Sequence, residues 1–160
     1  MSLKEELSLP SYPETVASCT CLNLRKASRA ISHVYDEILQ PTGLRGTQVS
    51  LLMTVAREET STMTQLADLL VTDLTTLSRN LKVLERDGLV VAEPGRDRRV
   101  REIKLTAQGR AALEQALPLW RQAQAYIKEH LGLDQWRGLI SHLVQVAELS
   151  TPARDRASSR

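Results

Sequence analysis

The feature that most constrains the fold is a run of local patterns between Met63 and Thr106. It contains, in order, a short helical pattern in TQLADLL, a longer one in DLTTLSRNLKVLERDGLV, and two strand-like segments around an arginine-rich loop in EPGRDRRVREIKLT. This order predicts a helix, a turn, a second helix and a β-hairpin. The longer of these two helices, in DLTTLSRNLKVLERDGLV, is amphipathic, so it is expected to pack inward with one face and to contact a partner with the other.

Two helices are predicted upstream of this run, and the short helical pattern at its start is the third helix of the chain. Apolar residues at helical spacing predict a long helix over residues 16–39, which ends before Pro41. A second helix is predicted over residues 48–57 with Thr47 as its cap, and a short third helix over residues 64–70. The chain therefore reaches the arginine-rich loop through four consecutive helices.

Helices are also predicted downstream of the loop. Thr106 begins a long helix that Pro118 is expected to kink, and Asp134 caps a last helix. The polar tail, residues 151–160, is predicted to be disordered. A chain of 160 residues in which only 3% are aromatic favours one folding unit with an aliphatic, helical core. The predicted fold class is mainly α with a small β-hairpin wing.

The fourth helix, which Thr72 or Asp73 is predicted to cap and which is predicted to end near Asp87 and Gly88, has two chemically different faces. On a helical wheel its leucines cluster on one side, and hydroxyl and cationic side chains fall on the other, with Arg79 near the centre of that face. The first face is predicted to be buried and the second to be exposed. The buried set is Leu74, Leu77, Leu81 and Leu84, and the exposed set is Thr75, Arg79, Lys82, Val83 and Arg86.

A helix of this kind fits the major groove of DNA, where side chains from its N-terminal half reach base edges and later positions meet phosphates. Thr75, Thr76 and Arg79 are therefore predicted to contact bases. Lys82 and Arg86 are better placed for the phosphate backbone, which positions a protein without distinguishing sequences. Taken alone, the same pattern also fits an ordinary amphipathic surface helix.

The hairpin is predicted from strands over residues 89–93 and 100–105, with the Pro94-Gly95 pair suited to a tight turn. Arginines next to a turn gain little from packing and repel one another, so the expected partner is a polyanion, contacted in the minor groove of DNA. A solvated charged turn is the alternative. The basic set is Arg96, Arg98, Arg99 and Arg101, and Asp97 is predicted to hold Arg99 in position.

Together these segments resemble the MarR family of winged helix-turn-helix transcription regulators. The resemblance rests on MTQLADLLVTDLTTLSRNLKVLERDGLV followed by GRDRRVREIKLTAQGR, and its layout extends over residues 16–149. It implies a homodimer whose terminal helices form the interface, with a winged helix on each side. It also implies that Arg79 corresponds to the recognition-helix arginine, Asp97 to the wing acid and Arg99 to the wing-tip arginine.

The predicted organisation assigns residues 44–106 to the winged helix-turn-helix and residues 12–40 and 107–150 to dimerisation. The terminal helices carry more apolar residues than one small domain could bury, which favours a homodimer. A two-fold dimer presents two recognition helices to a pseudo-palindromic site with half-sites about 10 bp apart. The predicted function is that of a transcription regulator that binds double-stranded DNA, and a repressor is the commoner arrangement in the resembled family.

The sequence lacks the patterns that are typical of membrane proteins and of several classes of enzyme. No stretch reaches the roughly 18 consecutive apolar residues of a spanning helix, so a cytoplasmic protein without membrane contact is predicted. No H-E-x-x-H, G-x-S-x-G or glycine-rich phosphate loop occurs, so no catalysis, metal or cofactor is predicted. The alternative is a winged-helix module that binds a protein, which would expose apolar or acidic residues where this chain has Thr75, Arg79 and Lys82.

A sensor is predicted only in outline. Cys19 and Cys21 lie at the start of the first helix, and three interpretations stay open: two inert reduced thiols, a redox or electrophile sensor, or part of a thiophilic metal site. The family resemblance implies a small lipophilic or phenolic effector between the dimerisation helices and the winged helix. Either such a ligand or oxidation of the thiols is predicted to release DNA.

Overall fold

The structure is a computed structural model that describes residues 16–95 and 100–149. The chain divides into two compact units, Met1–Val34 and Tyr35–Arg160. In the first unit, residues 16–18 are helical and are followed by the larger part of α1 (Thr20–Leu39). The second unit contains the end of α1 and all the later elements.

The second unit is mainly helical with one small sheet, which confirms the predicted fold class of a winged helix-turn-helix. A 3-10 turn, Gln40–Thr42, follows α1. The remaining elements are α2 (Gly46–Glu58), β1 (Ser61–Thr62), α3 (Met63–Leu69), α4 (Leu74–Arg86), β2 (Val90–Pro94), β3 (Arg101–Leu105), α5 (Ala107–Leu131) and α6 (Leu133–Glu148).

The core of this unit is aliphatic, as the lack of phenylalanine requires. Each of α2, α3, α4, β2, β3 and α5 contributes side chains to one buried cluster, so the helix-turn-helix and the sheet share a single core. Its fully buried leucines and valines are Leu39, Val49, Leu52, Val55, Leu66, Leu77 and Leu84.

The start of α2 is set by the end of α1. The helix begins at Gly46, so the prediction that Thr47 caps it is wrong. Instead, the Gly46 N–H donates to Oδ1 of Asp36 at 2.8 Å, which satisfies one of the free N–H groups of the first turn. The two helices approach closely here, because a Cβ at Gly46 would lie 2.8 Å from the Cβ of Tyr35.

The helix-turn-helix begins with β1 and α3. Thr62 caps α3, because its hydroxyl accepts the Gln65 N–H at 3.2 Å while Gln65 Oε1 accepts the Thr62 N–H at 2.9 Å. In β1, Ser61 lies opposite Ile103 of β3. The sequence predicted a two-stranded hairpin and missed this third strand, which is too short to carry a periodic signal.

The sheet is antiparallel, with the strand order β1-β3-β2. Its register places Pro94 opposite Arg101, so Pro94 belongs to β2 and does not form the predicted turn with Gly95. Proline is tolerated because β2 is an edge strand. The hairpin stays paired beyond the strands, since the Gly95 N–H donates to the Val100 carbonyl at 2.8 Å.

A tight junction joins the end of α4 to the start of α5. Thr106 caps α5: its hydroxyl accepts the Gly109 N–H at 2.9 Å and donates to the Gly88 carbonyl at 2.6 Å. The Thr106 N–H donates to the Leu89 carbonyl at 3.1 Å. A Cβ at Gly109 would overlap that carbonyl. Glycine is therefore required for the two segments to pack this closely.

The last two helices follow without a long loop. α5 continues through Pro118 as one helix, and α6 begins at Leu133 after Gly132, which has a φ of +81°. Asp134 lies in the first turn and is not the cap that the sequence predicted. α6 buries none of its residues in the described structure. Within residues 16–95 and 100–149, no helix is both long and apolar enough to cross a membrane.

Candidate nucleic-acid interface

α4 packs one face into the core and leaves the other in solvent. Leu77, Leu81 and Leu84 are buried, as predicted. Leu74 is 52% exposed, so the prediction that it packs inward is wrong. The physical reason is its place as first residue of the helix: side chains lean toward the helix N-terminus, where no preceding turn covers this one.

Asp73 closes the start of α4. One carboxylate oxygen accepts the Thr76 N–H at 2.8 Å, and the other accepts the Thr76 hydroxyl at 2.7 Å. The hydroxyl bond, followed by the backbone bond, lowers the pKa of Asp73 below its ordinary value because both favour the ionised form. Thr76 is predicted to contact a base, but its hydroxyl proton is already donated. Its lone pairs therefore remain to accept a bond from a base.

The other predicted DNA contacts of α4 lie on the solvent face. Thr75, Arg79 and Lys82 are exposed. Among the residues that the structure describes, the Arg79 guanidinium makes no hydrogen bond or ion pair. Arg86 differs, because its Nε lies 3.0 Å from Oδ1 of Asp87, with the arginine side chain 73% exposed. An exposed pair contributes about 0 to 1 kcal/mol, so a phosphate can displace Asp87 at small cost.

On the paired strands of the hairpin, two cations are held by the protein itself. Arg101 donates from Nη2 to the Ala92 carbonyl on the facing strand. Lys104 Nζ lies 3.3 Å from Oε2 of Glu93 and 3.7 Å from Oε2 of Glu102. These glutamates lie directly opposite each other in the sheet, so Lys104 offsets a like-charge pair. Its charge is thus largely neutralised within the sheet.

The tip of the hairpin lies outside the described residues. The predictions for Arg96, Asp97, Arg98 and Arg99 therefore stay predictions. What the structure describes is the paired stem, which ends in the hydrogen bond between Gly95 and Val100 on either side of residues 96–99.

α4 and the sheet together line a cavity of about 270 Å³. Lys82 from α4 and Arg101 from β3 both border it, with Met63 and Ile103 among the apolar lining residues. The structure thus brings a cation of the helix and a cation of the hairpin to one surface. A duplex that contacts both elements requires this arrangement.

The opposite flank of α4 carries a residue that the sequence reasoning missed. Arg45, Thr47 and Asn80 line a second cavity of about 330 Å³ between the start of α2 and α4. Arg45 is exposed, and its N–H donates to Oε1 of Gln48 at 2.9 Å. No local pattern marks Arg45, because only the tertiary fold places it beside the outer face of α4.

The two cysteines lie where the first helical segment breaks. Both thiols are free, with Cys19 half-buried and Cys21 exposed. The side-chain amide of Asn23 donates to the carbonyls of Ala17 at 2.8 Å and Cys19 at 3.0 Å, which fixes the backbone at the break. Among the described residues, no group of three or more His, Cys, Asp or Glu side chains is placed to hold a metal.

A second surface of interest is the aliphatic side of α6. Large apolar side chains remain exposed along its length, and a surface stripe of this size is typical of a protein interface. We call this set the α6 face: Leu133, Leu139, Ile140, Leu143, Val144 and Val146.

Comparison with known proteins agrees with this geometry. A family model described as MarR family matches residues 42–100. An HTH-type transcriptional regulator of Bacillus cereus is 31% identical over 104 residues, which are 65% of this chain and 69% of the relative.

Two solved structures are similar over most of the chain. The M. tuberculosis transcriptional regulator MosR in complex with DNA is 39% identical, with a TM-score of 0.77 over 86% of this chain and 99% of that one. The transcriptional repressor CouR bound to a 23-mer DNA duplex is 26% identical, with a TM-score of 0.75 over 83% of this chain and 95% of that one.

Proposed function

Because the chain belongs to the MarR family of DNA-binding transcription regulators, we propose that it is a repressor that binds a pseudo-palindromic operator as a homodimer. The observation that carries this proposal is the exposed face of α4, where Arg79 makes no bond within the described residues. Lys82 and Arg101 border one cavity beside it. As a regulator that acts on the chromosome, the protein is proposed to be cytoplasmic.

The proposal assigns separate roles to the residues of α4, the recognition helix. Thr75 and Arg79 contact base edges in the major groove, and Thr76 accepts a bond from a base amine while it closes the helix start. Lys82 and Arg86 contact phosphates. Hydroxyl and cationic side chains on this face favour DNA over a protein partner.

The hairpin is proposed to act as a wing that extends the contact into the minor groove. Arg101 lies opposite Pro94 at the loop end of its paired strands, and its tip carries Arg96, Arg98 and Arg99, with Asp97 holding Arg99 in position. The paired stem supports this role, because it fixes the direction in which the loop leaves the sheet. Narrow A·T-rich grooves attract arginine through their negative potential.

Dimerisation is proposed to use residues 12–40 and 107–150, with residues 44–106 as the winged helix-turn-helix. The α6 face supports this assignment, because its aliphatic side chains are exposed along the whole helix. A two-fold dimer carries two recognition helices, which match two half-sites about one helical turn apart.

Release from the operator is proposed to follow effector binding or oxidation of Cys19 and Cys21. An effector acts by preferring one of two dimer shapes, and such coupling is commonly 1 to 3 kcal/mol, about 5- to 150-fold in affinity. The exposure of Cys21 supports the thiol route, because an oxidant must reach the sulfur. A small lipophilic or phenolic ligand is the other route.

Selection of bound fragments from random duplex DNA, with and without mild peroxide, tests this function. We expect an enriched two-fold symmetric site with half-sites about 10 bp apart. Peroxide should abolish enrichment by the wild type but not by a Cys19→Ser, Cys21→Ser double variant. If peroxide releases both proteins equally, the cysteines are not the sensor, and the ligand route is the only one of the two that remains. If no sequence is enriched, the protein is not a site-specific regulator.

A further inference from the structure

The turn before the recognition helix exposes aliphatic side chains. Val71 in the turn is 46% exposed, and Leu74, the first residue of α4, is 52% exposed. We call these two residues the apolar tip. Leu74 is followed directly by Thr75, which is also exposed. The apolar tip therefore lies at the N-terminal end of α4, next to the residues that the proposed function assigns to base contacts.

Val71 adopts a backbone conformation that does not suit it. Its φ is +50°, in the left-handed region, where β-branched residues are rare. Two hydrogen bonds hold the turn, from the Val71 N–H to the Asp68 carbonyl at 3.2 Å and from the Thr72 N–H to the Ala67 carbonyl at 2.9 Å. Glycine would adopt this turn at lower cost. Strain of this kind concentrates at functional sites, which points to a use for the valine side chain.

The charge at this end of α4 opposes a phosphate contact. A helix start usually attracts anions through its free N–H groups. Here the Asp73 carboxylate already accepts the Thr76 N–H and carries a negative charge of its own. A phosphate would be repelled by that charge and would gain nothing from two aliphatic side chains. An uncharged, apolar group on the DNA is the better match.

Among the four bases, thymine alone presents an apolar group in the major groove, its C5 methyl. We propose that Val71 and Leu74 contact thymine methyl groups and add thymine selectivity to the base contacts of Arg79. This deepens the proposed function and rests on α4 entering the major groove. The competing use of the apolar tip, a contact with another protein, is an outcome of the test.

The test deletes the methyl group from the DNA and the side chain from the protein. In the selected operator, uracil replaces one thymine at a time, which removes only the C5 methyl. For the wild type we expect roughly fourfold weaker binding at a contacted position, the value of one buried CH₂-sized group. For Leu74→Ala, affinity for the thymine operator falls, and uracil at that position causes no further decrease.

Leu69→Ala is the matched control. Leu69 is also exposed, at 46%, but it lines a different cavity beside Glu58 and Gln65. This variant should keep both its affinity and the effect of uracil. Arg79→Ala should bind both operators more weakly and keep the ratio between them.

Val71→Gly separates backbone strain from DNA contact. Removing a β-branched side chain from a left-handed position is expected to raise Tm by about 2 to 4 °C. The same substitution should abolish the effect of uracil at the position that Val71 contacts. A stabilised variant that retains that effect contradicts a methyl contact by Val71.

Three outcomes overturn the inference. If uracil has no effect at any thymine of the half-site, the methyl contact is absent, while weaker binding by Arg79→Ala keeps the proposed function intact. If Leu74→Ala weakens thymine and uracil operators equally, the apolar tip serves another purpose, such as protein binding. If the selection yields no preferred sequence, both the inference and the proposed function fail.

Discussion

α4 and α6 are both amphipathic, but within the described residues only α4 has its apolar side buried. α4 buries three leucines and exposes hydroxyl and cationic side chains. Within residues 16–95 and 100–149, α6 buries none of its side chains, and Val144 on its aliphatic side is 55% exposed. Water solvates cations well but disfavours aliphatic surface. The difference teaches that a surface helix can bury its apolar side within its own chain, as α4 does. It can also need a second chain to bury that side, as we infer for α6.

The largest expected effect comes from placing charges on the α6 face. Leu139→Glu combined with Leu143→Glu should prevent dimerisation, because unpaired carboxylates cannot be buried in an apolar interface. Operator affinity should then fall about 10²- to 10⁴-fold, since each half-site is bound alone. Sedimentation equilibrium and fluorescence anisotropy measure the two quantities. Gln145→Glu, on the side of α6 opposite the α6 face, is the control, and a double variant that stays dimeric would contradict the inferred interface.

On α4, the largest effect is expected at Arg79. Arg79→Ala should cost about 1 to 3 kcal/mol on the operator and relax the preference at one base position in each half-site. Thermal stability should not change, because the guanidinium makes no bond within the described chain. Binding titrations on operator and random duplexes measure the effect. Equal decreases on both would mean that Arg79 only anchors the phosphate backbone.

A smaller effect is expected at Lys82. Lys82→Ala should weaken all duplexes about equally and lower the slope of log affinity against log salt concentration by about one, because one phosphate is no longer neutralised. Lys104→Ala is the matched control, because Lys104 already offsets Glu93 and Glu102. Binding measured over a series of salt concentrations separates the two lysines, and identical slopes would contradict the assignment.

The smallest effect concerns acid and the start of α4. Because the folded state lowers the pKa of Asp73, the stability that its carboxylate contributes is present above the ordinary value, about 3.9, and is lost as pH falls through the lower folded value. Asp73→Asn keeps a good helix cap without this titration. Thermal melts between about pH 2 and pH 6 should show a slightly smaller decrease in stability with acid for the variant. Parallel curves would contradict a role for Asp73 ionisation.

Local patterns in the sequence predicted most of the helix-turn-helix. The buried stripe of α4 and its end near Gly88 follow from the spacing of leucines and from the turn residue, which are local signals. The basic face of α4 was predicted for the same reason. Its exposed side chains lie where a helical wheel places them.

What the sequence did not predict depends on contacts between distant segments. β1 exists because Ser61 pairs with Ile103, and the start of α2 depends on a carboxylate from α1. The exposure of Leu74 escaped prediction because a helical wheel treats every position as if it were in the middle of a helix. Arg45 became a candidate only when the fold placed it beside Asn80.

The junction around Thr106 and Gly109 packs the end of α4 tightly against the start of α5. The Leu89 N–H donates to the Leu84 carbonyl at 2.8 Å, and the Leu89 carbonyl in turn accepts the Thr106 N–H. Gly109 has no space for even a methyl group against the Leu89 carbonyl, so the two segments have little room to move relative to each other. A shift of α5 is therefore expected to move α4 with it, so that a change at the dimerisation helices would reorient the face that we propose for DNA.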